Sequence, residues 1–168
     1  MQDEVDRLIA DWSRERPDLD LAPMQVLSRV TRVAKQLDHS RSAAFAQHAI
    51  VSWEFDVLAA LRRSGEPYQL SPGRLLQETM VTSGTMTNRV DRLAARGLVR
   101  RGPDPHDGRG VVVTLTRAGL ETVDGALVDL LAAERRILAV LPGDDAAQLA
   151  DLLRTLAGEL EHPAPTGG

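Results

Sequence analysis

The sequence predicts a mainly α fold with one small β-hairpin, and three observations carry that expectation. Aromatic residues make up only 3% of the 168 residues while Leu, Val and Ala recur throughout, so the core is aliphatic, as packed helices prefer. Apolar residues return at helical spacing along most of the chain. Only two short stretches, 98–102 and 111–115, read as strands, the second being β-branched and alternating.

The first helix spans about Glu4 to Arg16, where Val5, Leu8, Ile9 and Trp12 form one apolar stripe that Pro17 ends. A second starts near Pro23, a favoured first-turn residue, and its stripe of Val26, Leu27, Val30, Val33, Ala34 and Leu37 continues toward Phe45. Asp38 to Ser42 is where a bend in it is expected. Ser52 caps a third helix that turns Phe55, Leu58 and Ala59 inward and stops at Ser64 and Gly65. Tyr68 to Leu70 reads as a short extended piece, after which Ser71 and Pro72 open a short fourth helix through Glu78. The fifth begins at Thr82 or Ser83, sets Met86, Val90 and Leu93 on one face, and closes at Gly97, which suits a left-handed cap.

Helix, short helix, turn and helix over residues 52–97 is the pattern of a helix-turn-helix. The strand pair behind it encloses Pro103 to Gly110, too long for a simple turn, and a hairpin with an extended loop in that place is a wing. Thr116 caps a long helix of Arg117 to Leu141, with Leu127, Leu130, Leu131, Leu138 and Leu141 in register until Pro142 and Gly143 break it. The last helix, Asp144 to Glu161, carries Leu149, Leu152, Leu153, Leu156 and Leu160. The chain thus divides into N-terminal helices (1–51), a winged helix-turn-helix region (52–116), C-terminal helices (117–161) and a tail (162–168) expected to fray. The terminal helices carry more leucine surface than one small winged module covers, which predicts a two-fold homodimer built from both chain ends.

Several function classes are excluded by composition. There is no cysteine, so disulfides, thiolate metal sites and thiol redox chemistry fall away. The four histidines (39, 48, 106, 162) are scattered, Lys35 is the only lysine and no Gly-rich phosphate loop appears, so neither an enzyme nor a cofactor is implied. The longest uncharged stretch, 42–53, is well short of a bilayer span, and the acidic, amphipathic start is unlike a signal peptide; a soluble cytoplasmic protein without a membrane partner is expected.

The net charge of −4 is unevenly spread. Residues 71–117 hold eight arginines against four acids, whereas the remainder holds twelve basic against twenty acidic residues. A basic middle within acidic flanks fits a polyanion-binding module on a larger scaffold; chance clustering of solvated charge gives the same count. In a winged helix the fifth helix enters the major groove by its N-terminal part, here the small and polar Ser83, Gly84, Thr85, Thr87, Asn88, Asp91 and Arg92. Its free N-terminal amides favour phosphate. Arg109 at the loop tip has reach and charge for the minor groove, and Asp107 is placed to brace the loop. The candidate DNA-binding set is therefore Ser83, Thr85, Thr87, Asn88, Arg92, Asp107 and Arg109, with a double-stranded operator as partner. The rival class is a winged-helix protein-interaction module, against which the basic cluster and the polar fifth helix speak.

The stretch Leu75 to Thr116 resembles the MarR family of bacterial transcriptional regulators. Asn88-Arg89-Val90-Asp91-Arg92-Leu93 and Gly97-Leu98-Val99-Arg100-Arg101 match its recognition helix and the start of its wing. Asp104-Pro105-His106-Asp107-Gly108-Arg109-Gly110-Val111-Val112-Val113-Thr114-Leu115-Thr116 resembles its wing with the D-x-R-x-x-x-V-x-L-T signature, with Gly108 standing where many members have a second Arg. The resemblance implies an operator-binding homodimer, usually a repressor released by a small ligand. A narrower resemblance is to the family's urate-responsive branch, which adds an N-terminal helix, here supplied by residues 1–17. Trp12, Asp56, Arg89 and Arg101 stand at that branch's marked places and imply a site for a small anion, urate or a carboxylate. Independently, Arg89 borders the inward stripe of the fifth helix, so its guanidinium needs a partner, for which Asp56 is a candidate. A core role for Trp12 and a structural Asp56–Arg89 ion pair are the plainer alternatives.

Overall fold

The computed structural model describes residues 2–79, 82–104 and 110–161. Helix α1 (Glu4–Glu15) is capped reciprocally: Asp3 accepts the Asp6 amide and Asp6 accepts the Asp3 amide, both at 2.9 Å. It lies on α2 (Ala22–Ala46) with Val5 buried between them. Arg29 of α2 reaches Asp3 at 2.8 Å and Asp6 at 2.6 Å, and Arg32 pairs with Glu4. α2 continues unbroken through 38–42, the place of the expected bend, because no residue there is a proline or glycine that removes a helical hydrogen bond.

Helix α3 (Ser52–Arg63) runs through the core, with Val57, Leu58 and Leu61 fully buried and Phe55 stacked on Phe45 of α2 at 4.3 Å between ring centroids. Its N-terminus differs from the expected serine cap. Ser52 is already helical, and the free Val51 amide donates to the Glu54 carboxylate at 3.0 Å, since a glutamate three residues into a helix reaches back over the first turn.

The strands are β1 (Gln69–Leu70), β2 (Val99–Pro103) and β3 (Val111–Leu115), in the spatial order β1-β3-β2 with both pairings antiparallel. The extended piece before the fourth helix is thus a third strand, with Gln69 opposite Thr114. β3 is central, which accounts for its β-branched run: Val112 to Leu115 are all buried. Between β1 and β2 lie α4 (Pro72–Thr79) and α5 (Ser83–Ala95), whose Leu75, Met86, Val90 and Leu93 join the α3 core. Gly97 takes the expected left-handed conformation (φ 71°).

Helix α6 (Arg117–Leu138) packs on α2 and α3 through Val123, Ala126, Leu130 and Ala133. It stops short of the expected Leu141, because Pro142 disfavours helical geometry in the residue before it. Thr116 ties its start to the end of α5: the threonine amide donates to the Leu98 carbonyl at 3.1 Å, and its hydroxyl accepts the Gly119 amide at 3.0 Å. Gly119 passes so close that an added Cβ would meet the Leu98 carbonyl oxygen at 2.0 Å. α7 (Asp145–Glu161) buries none of its residues within the chain. Its leucines, with Val26, Leu27, Val30 and Val33 of α2 and Leu127 and Leu131 of α6, form exposed apolar faces. Among the described residues no helix is long and apolar enough to cross a membrane.

Candidate nucleic-acid interface

The circumference of α5 divides into four sectors. Met86, Val90 and Leu93 face the core. One helical step round, Ser83 and Thr87 turn toward the sheet, where with Pro72, Leu76, Arg101 and Val111 they line a cavity of about 230 Å³. The outer line of Gly84, Asn88 and Ala95 is exposed. On the remaining flank stand Arg89, Arg92 and Arg96, spaced to stack along one side and directed at the N-terminal turn of α3.

That flank is held by two adjacent residues of α3. The Trp53 ring carries the Arg89 guanidinium at 5.3 Å and the Arg92 guanidinium at 5.1 Å from its centroid. Glu54, only 4% exposed, accepts from Arg96 at 2.7 Å, and Arg96 donates also to the Ala49 carbonyl at 2.7 Å. The end of α5 is thereby fastened to the α2–α3 junction. On the opposite flank Arg101 of β2 approaches Asp91 at 3.2 Å and the Thr87 carbonyl at 3.4 Å, tying α5 to the wing strand.

The sequence-derived set maps unevenly onto this geometry. Ser83, Thr85, Thr87, Asn88 and Arg92 are all exposed on α5, and the Thr85 hydroxyl shares a 3.0 Å hydrogen bond with that of Thr82. Asp107 and Arg109 lie outside the described residues, as does the tail 162–168. The base of their loop is closed, with the Asp104 amide donating to the Gly110 carbonyl at 2.9 Å. Of the residues implied for an effector, Asp56 and Arg89 form no ion pair: the half-buried Arg89 rests on Trp53, while Asp56, three residues further along α3, lines an exposed cavity. That cavity, about 280 Å³, is lined by Arg41, Phe55, Asp56, Ala59, Arg63, Glu78 and Thr79. Trp12 is half exposed on α1, and Arg101 borders the separate cavity under α5.

Trp53, Glu54 and Arg96 escaped the sequence reading, although arginines at 89, 92 and 96 repeat at helical spacing and so mark a flank in need of partners. Arg41 and Arg63, neighbours of Asp56 in space, carry no local signal at all.

The MarR family model matches residues 51–110. The HTH-type transcriptional regulator PecS of Dickeya dadantii (strain 3937) is 35% identical over 158 residues, 94% of this chain and 93% of its own length. The chain belongs to the MarR family of transcriptional regulators. This MarR-family regulator is also 34% identical over 113 residues to the HTH-type transcriptional repressor NicR of Pseudomonas putida, covering 65% of this chain and 70% of that one. Its fold matches that of a mutant MarR from E. coli complexed with operator DNA, with a TM-score of 0.67 and 27% identity over 82% of this chain and 99% of the other. As a family member the regulator acts on transcription rather than by catalysis.

Proposed function

We propose that this MarR-family regulator is a cytoplasmic, homodimeric repressor that sets α5 of each protomer into successive major grooves of a pseudo-palindromic operator and is released by a small anion. The observation that carries this reading is the exposed N-terminal half of α5, small and polar at Ser83, Gly84, Thr85, Thr87 and Asn88 and framed by arginines, opposite the face that Met86, Val90 and Leu93 bury in the core. Asn88 and Thr87 are assigned to base edges, Ser83 and Thr85 to phosphate, and Arg109 to the minor groove with Asp107 bracing it. The uncovered apolar faces of α2, α6 and α7 support the dimer, since leucines such as Leu149, Leu153 and Leu156 stay exposed and α7 buries none of its residues.

The effector reading rests on the family resemblance together with the cavity at Asp56, where Arg41 and Arg63 are the cations available to urate or a carboxylate, in exchange for the lining acids Asp56 and Glu78. Arg89 joins this cavity only if the ligand draws it from Trp53, whereas Trp12 and Arg101 are not among its lining residues and enter the reading through the resemblance alone. Because Arg89 belongs to α5, such a transfer couples ligand occupancy to the reading helix, and release follows from differential affinity for the two states.

Fluorescence anisotropy on duplex DNA at two salt concentrations, with sedimentation at micromolar protomer, tests the first reading. Salt-sensitive binding by a species of twice 18.3 kDa is expected. Binding by a protomer alone overturns the two-headed arrangement, and a chain that ignores DNA restores the protein-interaction reading. Urate titration tests the second: DNA release accompanied by Trp12 quenching in a Trp53→Phe chain is expected. Calorimetry showing no binding of urate or of di- and tricarboxylates at millimolar concentration, with DNA binding intact, overturns it.

A further inference from the structure

We infer that Trp53 is a positioning residue for DNA binding: its indole is a shelf that holds Arg89 and Arg92 on the flank of α5 and presents their N–H groups to the phosphate backbone. This rests on the DNA reading proposed above, but it concerns a residue on α3, outside the reading helix and the wing.

Neither guanidinium has a hydrogen-bond or ion-pair partner among the described residues, whereas Arg96, one turn further along the same flank, is sealed by Glu54 and Ala49. The two arginines therefore differ from the third in what they have left to give. A guanidinium attracted by a ring face keeps its hydrogen-bond donors for other acceptors, and it loses less freedom on meeting a phosphate than one extended into water. Trp53 is half-buried and packs against the core, so the shelf does not travel with the side chains it carries. With both guanidinium groups held at one ring on the same flank of α5, their positive potentials add and favour an anion beside them. A phosphate flanking the groove that receives α5 is such an anion.

The test uses the full chain and a labelled duplex enriched from random-sequence DNA by the wild-type protein, with affinity measured across a salt series. Each phosphate contact contributes about 0.9 to the slope of log affinity against log salt. Trp53→Leu, which keeps apolar bulk and removes the ring, is expected to weaken binding about fivefold or more and to lower the slope by about one to two. Trp53→Phe, which retains a ring, is expected to restore the slope. Arg92→Lys, at an exposed site that does not endanger the fold, keeps the charge but not the planar group, and is expected to weaken binding about fivefold, a loss absent in the Trp53→Leu background.

Unchanged affinity and slope in Trp53→Leu overturn the shelf, as does a weaker affinity with an unchanged slope, which marks a purely structural role. Should Trp53→Leu not fold, an Arg92→Lys chain equal to wild type overturns it instead. A wild-type chain that binds no duplex overturns the DNA reading itself and the shelf with it, an outcome distinct from a binding wild type beside an indifferent variant.

Discussion

Replacing Gly119 by alanine should destabilise the chain, although alanine is the better helix former. The added methyl would sit 2.0 Å from the Leu98 carbonyl oxygen and 3.1 Å from Leu115 Cδ2. The first contact is with backbone, which has no rotamer to escape into. Carbon–oxygen approaches begin at about 3.3 Å, so α6 must retreat by about 1 Å. That movement loosens the Thr116 cap, worth about 1 kcal/mol, and the hydrogen bond from the Thr116 amide to Leu98, worth about 1 kcal/mol more. Disturbed packing of Leu115 and Val123 adds about 1–3 kcal/mol, and the gain in helix propensity returns about 1 kcal/mol. The net cost is about 2–4 kcal/mol, a fall of about 5–15 °C in Tm for a chain of this length.

Thermal melts followed by circular dichroism, at one fixed protomer concentration, measure it. Gly158→Ala is the internal control: it sits in α7 with nothing within 4 Å and opposite the leucine stripe, so the same substitution should raise stability by up to about 1 kcal/mol. A Gly119→Ala chain that melts within about 2 °C of wild type would refute the reasoning, because the close approach would then carry no cost.

Arg96→Ala should cost about 2–3 kcal/mol in denaturant unfolding, toward the lower end for a broken buried pair because Arg96 itself is partly exposed; Arg117→Ala, losing only the surface contact to Glu121, should leave the unfolding midpoint where it is. Equal effects would show that the burial of Glu54 is energetically irrelevant. Arg109→Ala should lower affinity across many duplexes and reduce the salt slope by about one, whereas Asn88→Ala should alter sequence preference more than the slope, both read by anisotropy. The hydrogen bond from Arg29 is the largest of the influences that hold the Asp3 carboxyl below its ordinary value of 3.8, so its contribution to docking α1 is present above about pH 4 and is lost as pH falls below it. Protection of the α1 amides, taken relative to their intrinsic exchange rates, should fall below about pH 4 before the core opens, and should already be low at pH 7 in Arg29→Ala; identical protection in that variant would sever the link.

Helices were legible because each carries an apolar stripe whose 3.6-residue spacing survives in one dimension, and the sheet's centre was legible because β3 is a β-branched run buried from Val112 to Leu115. β1 was legible only as an extended piece: two residues are too few to alternate, and its pairing with Thr114 and Val113 spans more than forty positions of chain. The same distance hid the Glu54–Arg96 clamp, in which a carboxylate that locally reads as an N-terminal helix residue finds its partner on another helix. At Arg89 the sequence showed that a half-buried cation needs a partner but not which one. Trp53 and Asp56 are three positions apart on α3, and only the placement of α5 against α3 decides for the ring.

The partition of α5 into independent sectors has a consequence for redirecting the molecule to new targets. Gly84, Asn88 and Ala95 touch neither the core, nor the Trp53 shelf, nor the Arg101 tie. Randomising this line leaves the fastenings on either flank intact, so a library of altered readers can be screened without each member first having to be rescued for folding. The flanks act as a chuck and the outer line as an exchangeable bit.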